Sequence, residues 1–210
     1  EIDNLGTYFR VIWQLPSAIQ IERRWTTDVP NRWPAAGDFL EKHTGYRFPL
    51  LGKLTHPRVI RALTTILRDN LDPASSQIGL ATKCLIGLVY ATVVADRDLA
   101  TESRLLAASL APTLDESTFT TVASFAARPL GTDLEAIESA TTELSALPTL
   151  SDLDVKAIVL ARAAANSPAE IDATIRSGIA PHLSSASIVE IIIWLSIQQL
   201  FHRVGCFYSV

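Results

Sequence analysis

The sequence predicts an all-α protein, and three observations carry that prediction. Helix-start signals recur ahead of successive apolar stretches, β-branched alternation is sustained nowhere, and the chain ends on a long apolar run, SSASIVEIIIWLSIQQLFH (residues 184–202). That run is too apolar for a surface helix, while Glu190, Gln198, Gln199 and His202 interrupt it. It therefore predicts a helix through the middle of a helical bundle.

Taken in order, residues 1–54 are the least regular part, punctuated by Pro16, Pro30, Pro34 and Pro49. Pro16 ends the first apolar segment, because proline removes a donor and crowds the preceding turn. SAIQIERRW predicts a short amphipathic helix. WPAAGDFLEKHTG predicts another, with Pro34 in its first turn and Gly45 past its end. Trp13, Trp25 and Trp33 all fall in this stretch, which suits a segment that wraps the core or forms a partner surface.

From Thr55 the starts become regular. His56-Pro57 opens HPRVIRALTTILRDN with proline at the first helical position. Asp72-Pro73 is expected to open a helix running through LDPASSQIGLATKCLIGLVYATVVA. Asp96 caps DRDLATESRLLAASL and Asp115 caps ESTFTTVASFAA, while Thr132 with Glu135 forms a capping box before DLEAIESATTELSAL. Ser151 with Asp154, then Ser167-Pro168-Ala169-Glu170, then Ser184 open the last three helices.

Two stretches repeat one order of long, short and long helix. DPASSQIGLATKCLIGLVYA to LDESTFTTVASFA is one, and TLSDLDVKAIVLARAAA to LSSASIVEIIIWLS is the other. Lys83 aligns with Lys156, and Phe119, Val122 and Phe125 align with Ile188, Ile191 and Trp194. A duplicated unit buries apolar faces that neither copy buries alone. The expected organisation is a helical arm at 1–70, a first unit at 71–130 and a second at 131–210.

Bulk properties narrow the partners. A chain of 210 residues with 48% hydrophobic residues can bury a substantial core. A net charge of -4 and the lack of any basic stripe argue against nucleic acid as a partner. A membrane span needs about 20 apolar residues, and the runs at 84–95 and 188–201 fall short, so no span is expected. Cys84 and Cys206 match no metal or redox spacing, so two free thiols in a reducing, cytoplasmic setting are expected. No signal peptide is expected in these opening residues. With Glu at position 1 and no methionine in the sequence, the native start is expected upstream.

Three groups of residues could carry chemistry. Ser76, Lys83, Gly87 and Tyr90 fall within about 60° on one helical face. There Gly87 would leave room for a ligand between a lysine and a phenol, or the stripe is a solvated face with the lysine stem snorkelling outward. Asp96, Asp98 and Glu102 could supply a general base, or they serve the helix N-terminus and surface pairing with Arg97 and Arg104. On the last helix, Gln198 and His202 are i, i+4 neighbours with Gln199 beside them and Glu190 about 80° away. A buried His or Glu there could exchange protons, or these groups satisfy one another in the core. No metal is expected, because carboxylates at this spacing lack the histidines or cysteines a transition metal favours.

The helix carrying Lys83, the capped short helix after it and the closing IVEIIIWLSIQQLFHR together resemble the AhpD-like, carboxymuconolactone decarboxylase superfamily in its tandem-repeat form, over residues 70–206. Redox members of that family carry Cys-x-x-Cys followed by His. The stretches here, ADRDLATE (95–102) and NSPAEI (166–171), hold no thiols. The resemblance therefore implies the fold without the thiol pair, and cofactor-free acid/base chemistry of decarboxylase or isomerase type on a small organic molecule. In that reading Glu190 or His202 is the acid/base, Lys83 or Arg203 holds an anion, and Tyr90 and Gln198 contact the substrate. It also implies a homodimer or larger ring. Two alternatives stay open: a binding or interaction module without catalysis, and an antioxidant protein acting on alkyl hydroperoxides through Cys84 or Cys206.

Overall fold

In the computed structural model, which describes residues 20, 24–131, 134–166, 171 and 173–208, the described residues are helices joined by turns, with no strand among them. In order they are α1 (Ala35–Thr44), a 3-10 turn (Pro49–Lys53), α2 (Pro57–Asn70), α3 (Leu80–Val93), α4 (Arg97–Leu110), α5 (Glu116–Ala127), α6 (Leu134–Ser145), α7 (Asp152–Ala165), α8 (Ala173–Gly178), a 3-10 turn (Ala180–His182) and α9 (Ser185–Tyr208).

α3 is the hub. Every residue from Thr82 to Ala91 is buried, because α4, α5, α7 and α9 all pack on it. A helix apolar around its whole circumference is stable only in such a position. A single apolar cluster joins Leu40, Phe48, Leu51 and Leu67 of the N-terminal part to Ile86 and Val89 of α3, Ile158 of α7 and Trp194 and Phe201 of α9. The described part of the expected arm is thus continuous with the core. Phe48 and Phe201 stack with ring centroids 6.3 Å apart.

Local caps follow the sequence at several starts. Asp96 accepts from the Leu99 amide and Asp115 from the Thr118 amide. Ser151 and Asp154 form a full capping box on α7, and the Thr82 hydroxyl bonds the same Asp154 carboxylate, tying α3 to the start of α7. The Ser184 hydroxyl accepts from the Ser187 amide at 3.0 Å. The expected starts at Thr132 and at 167–170, and most of the SAIQIERRW helix, lie outside the described residues.

Two expectations are corrected. α3 starts at Leu80 after Gly79, not at Pro73. Residues 72–79 form turns instead, held by Asp72 accepting from the Ala74 amide and by Ser76 bonding the Ile78 carbonyl. The last helix is also longer than its apolar run. Ser185–Phe207, 23 residues with mean hydropathy 1.2, meets the length and composition needed to cross a membrane. It meets them by length and composition alone, and one of its faces carries Trp194, Ile197 and Phe201 into the core. Its opposite face exposes Val189, Ile192, Ile193, Leu200 and Phe207.

Candidate functional site

The residues singled out in the sequence separate into two places along α9. Near its start, Glu190 meets Lys83 of α3 with Nζ to Oε1 at 2.6 Å. Lys83 is completely buried and the Glu190 side chain is 13% exposed. The ammonium also donates to the Asn70 carbonyl and, at 2.7 Å, to the Ser76 hydroxyl. The carboxylate accepts from the Ser76 hydroxyl and, at 2.6 Å, from the Gln77 amide. Three ammonium protons meet three acceptors, so the lysine has no donor left. The solvated-face alternative for Lys83 does not hold: its stem does not snorkel, because the turn 72–79 and α9 bring it partners inside.

The electrostatics follow from those contacts. Burial raises the Glu190 carboxyl, but hydrogen bonds from Lys83, Ser76 and the Gln77 amide outweigh it and hold the group below its ordinary value. Desolvation lowers the Lys83 ammonium, and Glu190 opposes that. The Trp194 indole N–H donates to the Lys83 carbonyl at 2.7 Å, locking the same two helices.

Gly87 does not open a ligand space. A β-carbon there would lie 2.7 Å from the Ser103 Oγ and 3.5 Å from the Gln198 Oε1. The missing side chain lets α4 approach α3, and Gln198 is buried beside it.

The second place lies near the end of α9. His202 Nδ1 is 2.7 Å from Asp96 Oδ2, and one turn later Cys206 Sγ lies 3.7 Å from each ring nitrogen of His202. Tyr90 meets the His202 ring edge-on at 6.3 Å. Burial pushes the Tyr90 phenol up, with Arg203 opposing and Asp96 and Cys206 adding to the rise. Val94, Ala95, Asp96, Arg97, His202 and Cys206 line an open cleft of about 460 Å³.

The local backbone aims Asp96 at this cleft. α3 ends with Ala95 at φ 55, while the Asp96 amide donates to the Ala91 carbonyl at 2.8 Å and the Ala95 amide to Thr92 at 3.2 Å. This is the paired-bond helix ending that glycine usually serves. An alanine there costs about 1–2 kcal/mol. The turn leaves Asp96 Oδ1 on the Leu99 amide and Oδ2 on His202. One carboxylate thus starts α4 and orients the imidazole.

Of the expected site residues, the structure joins Lys83 with Glu190 and His202 with Tyr90; the charge of Arg203 acts on Tyr90, and neither of these two lines the cleft. Gln198 faces Gly87 rather than the cleft. Asp98 lines the cleft. Glu102 lies deeper: burial raises its carboxyl, Tyr46 opposes that rise, and its Oε1 has no partner. Cys206 was not paired with His202 in the sequence, although i, i+4 spacing on one helix was the available signal. Among the described residues no group of three or more His, Cys, Asp or Glu is arranged to hold a metal ion.

No family model matches this chain, no curated protein gives a significant match, and neither does any solved structure.

Proposed function

We propose that this protein carries out cofactor-free proton transfer, of decarboxylation or isomerisation type, on a small organic anion bound in the cleft between the start of α4 and the end of α9. The observation that carries the reading is the 2.7 Å contact between Asp96 and His202 on the wall of that cleft. Asp96 accepts a hydrogen bond from Nδ1–H, which leaves the Nε2 lone pair as the base, and the ionised carboxylate stabilises the imidazolium once it forms. Arg97, exposed on the same wall, and the positive end of α4 favour an anionic substrate. Lys83 and Glu190 hold the scaffold in this reading, since their bonds are spent on each other and on the turn 72–79. The reading agrees with what the AhpD-like resemblance implies.

Self-association belongs to the same reading. The outer face of α9 carries Val189, Ile193, Leu200 and Phe207 at helical spacing, which suits a second copy of the chain packing along it. Light scattering tests this: twice the chain mass in wild type and the single mass in Ile193→Glu are expected, while an equal mass for both contradicts it.

The catalytic part is tested with 2-oxobutyrate, an enolisable anion, by following deuterium exchange at its C3 in D2O by proton NMR. Wild type is expected to accelerate exchange over buffer, and His202→Gln and Asp96→Asn each to lower the rate by about 100-fold or more. Acceleration that survives both substitutions, or none in wild type, removes the proton-transfer reading.

A further inference from the structure

A second cavity, of about 420 Å³, lies between α6, α7, the end of α8 and the 3-10 turn that follows it. Its volume is that of a small-molecule site, and none of its residues lines the cleft at His202. Lys156 is the α7 residue in its wall, half-buried between the buried Val155 and Ala157. A lysine drawn partly out of water is ordinarily matched by acceptors. Lys83, with which it aligns in the sequence, has three. Lys156 has none: among the described residues no carboxylate comes within 4 Å of its Nζ and no acceptor takes its protons. His182 of the 3-10 turn lines the same cavity and adds a ring N–H, which even a neutral imidazole offers.

The α6 wall has the opposite character. The Thr141 and Thr142 hydroxyls donate to the Ile137 and Glu138 carbonyls, each at 2.8 Å, so what remains on each oxygen is acceptor capacity. Glu138 adds an exposed carboxylate to that wall. Leu134, 50% exposed, and the buried Ile137 supply apolar surface on the same helix. Donors from α7 and the 3-10 turn thus share one cavity with acceptors and apolar surface from α6.

We propose that this cavity binds a free amino acid with an aliphatic side chain. Its carboxylate meets Lys156 and the His182 N–H, its ammonium meets Glu138 and the threonine oxygens, and its side chain lies on Leu134 and Ile137. A plain carboxylate would set like charge against Glu138, and a plain amine would do the same at Lys156. Only a ligand carrying both charges complements both walls. The inference involves no chemical step and does not depend on proton transfer at His202.

The test titrates the intact protein with L-leucine and follows its amide NMR shifts. The expected result is saturable shifts centred on residues 134–142, 156 and 182, with a dissociation constant of about 1 mM or lower. 4-Methylpentanoate, which lacks the ammonium, and 3-methylbutylamine, which lacks the carboxylate, should each bind about 10-fold more weakly or worse. Lys156→Met and Glu138→Gln, checked for native circular dichroism, should each weaken leucine binding by a similar factor, whereas His202→Gln should bind it like wild type. No saturable shift by about 10 mM leucine, 4-methylpentanoate binding as tightly as leucine, or wild-type affinity in folded Lys156→Met overturns the proposal. So do shifts centred on residues 94–98 and 202–206, which would place the amino acid in the other cleft.

Discussion

The Lys83 ammonium and the Glu190 carboxylate meet at 2.6 Å between α3 and α9, and the turn at Ser76 and Gln77 satisfies what they leave over. A pair taken out of water this far holds two helices in register only if each partner remains. Glu190→Gln is expected to cost about 3–5 kcal/mol in urea unfolding, because it leaves the buried Lys83 charge without its counter-ion. Lys83→Met with Glu190→Leu should cost less than the two single changes added together, and a double-mutant cycle with no coupling would contradict the pairing.

The same pair predicts an acid response. Glu190 is held below its ordinary value of 4.5, so its contribution is fully present above that pH. It is lost as the pH falls through the lower folded value. The gap in urea midpoint between wild type and Glu190→Gln should therefore be constant near neutrality and close below pH 4.5. A gap that widens on acidification would reverse the sign of this account.

Ala95 carries strain next to the cleft. Its φ of 55 is a backbone state in which a β-carbon is costly. Ala95→Gly should raise stability by about 0.5–1 kcal/mol, the relief being partly offset by the greater freedom of glycine when unfolded. Thermal unfolding checks this, and a lowered midpoint would mean that the turn does not hold this geometry.

Gly87 sets the approach of α4. Gly87→Ala should gain about 1 kcal/mol of helix propensity yet lose about 1–3 kcal/mol to crowding against Ser103. A net loss is expected, and adding Ser103→Ala should restore or exceed wild-type stability, since it removes the Oγ that lies 2.7 Å away. Failure of the second change to rescue the first would place the clash elsewhere.

The parts legible in the sequence were those decided within a turn of helix. Asp96, Asp115 and Ser151 cap as their neighbours dictate, whereas the central place expected for the last apolar run belongs to α3, and α9 keeps one face exposed. Asp72-Pro73 carried an equally good local signal and failed, because Ser76 and Gln77 are engaged by Glu190, more than a hundred residues away. Lys83 could be read locally as a ligand-holding or as a snorkelling lysine, because its counter-ion Glu190 is just as distant in the chain. At the candidate site the His202–Cys206 spacing could be read on one helix. Asp96 was legible only as a cap, because its second oxygen meets His202 through the fold alone.

The division of labour along α9 is tested most directly by measuring two quantities on two variants: urea unfolding and the acceleration of C3 deuterium exchange in 2-oxobutyrate, in Glu190→Gln and His202→Gln. The account predicts that His202→Gln keeps most of its stability and loses about 100-fold or more in exchange rate, while Glu190→Gln loses about 3–5 kcal/mol of stability and reacts normally wherever it remains folded. A stable Glu190→Gln, or a His202→Gln that unfolds as readily yet reacts like wild type while folded, would contradict it.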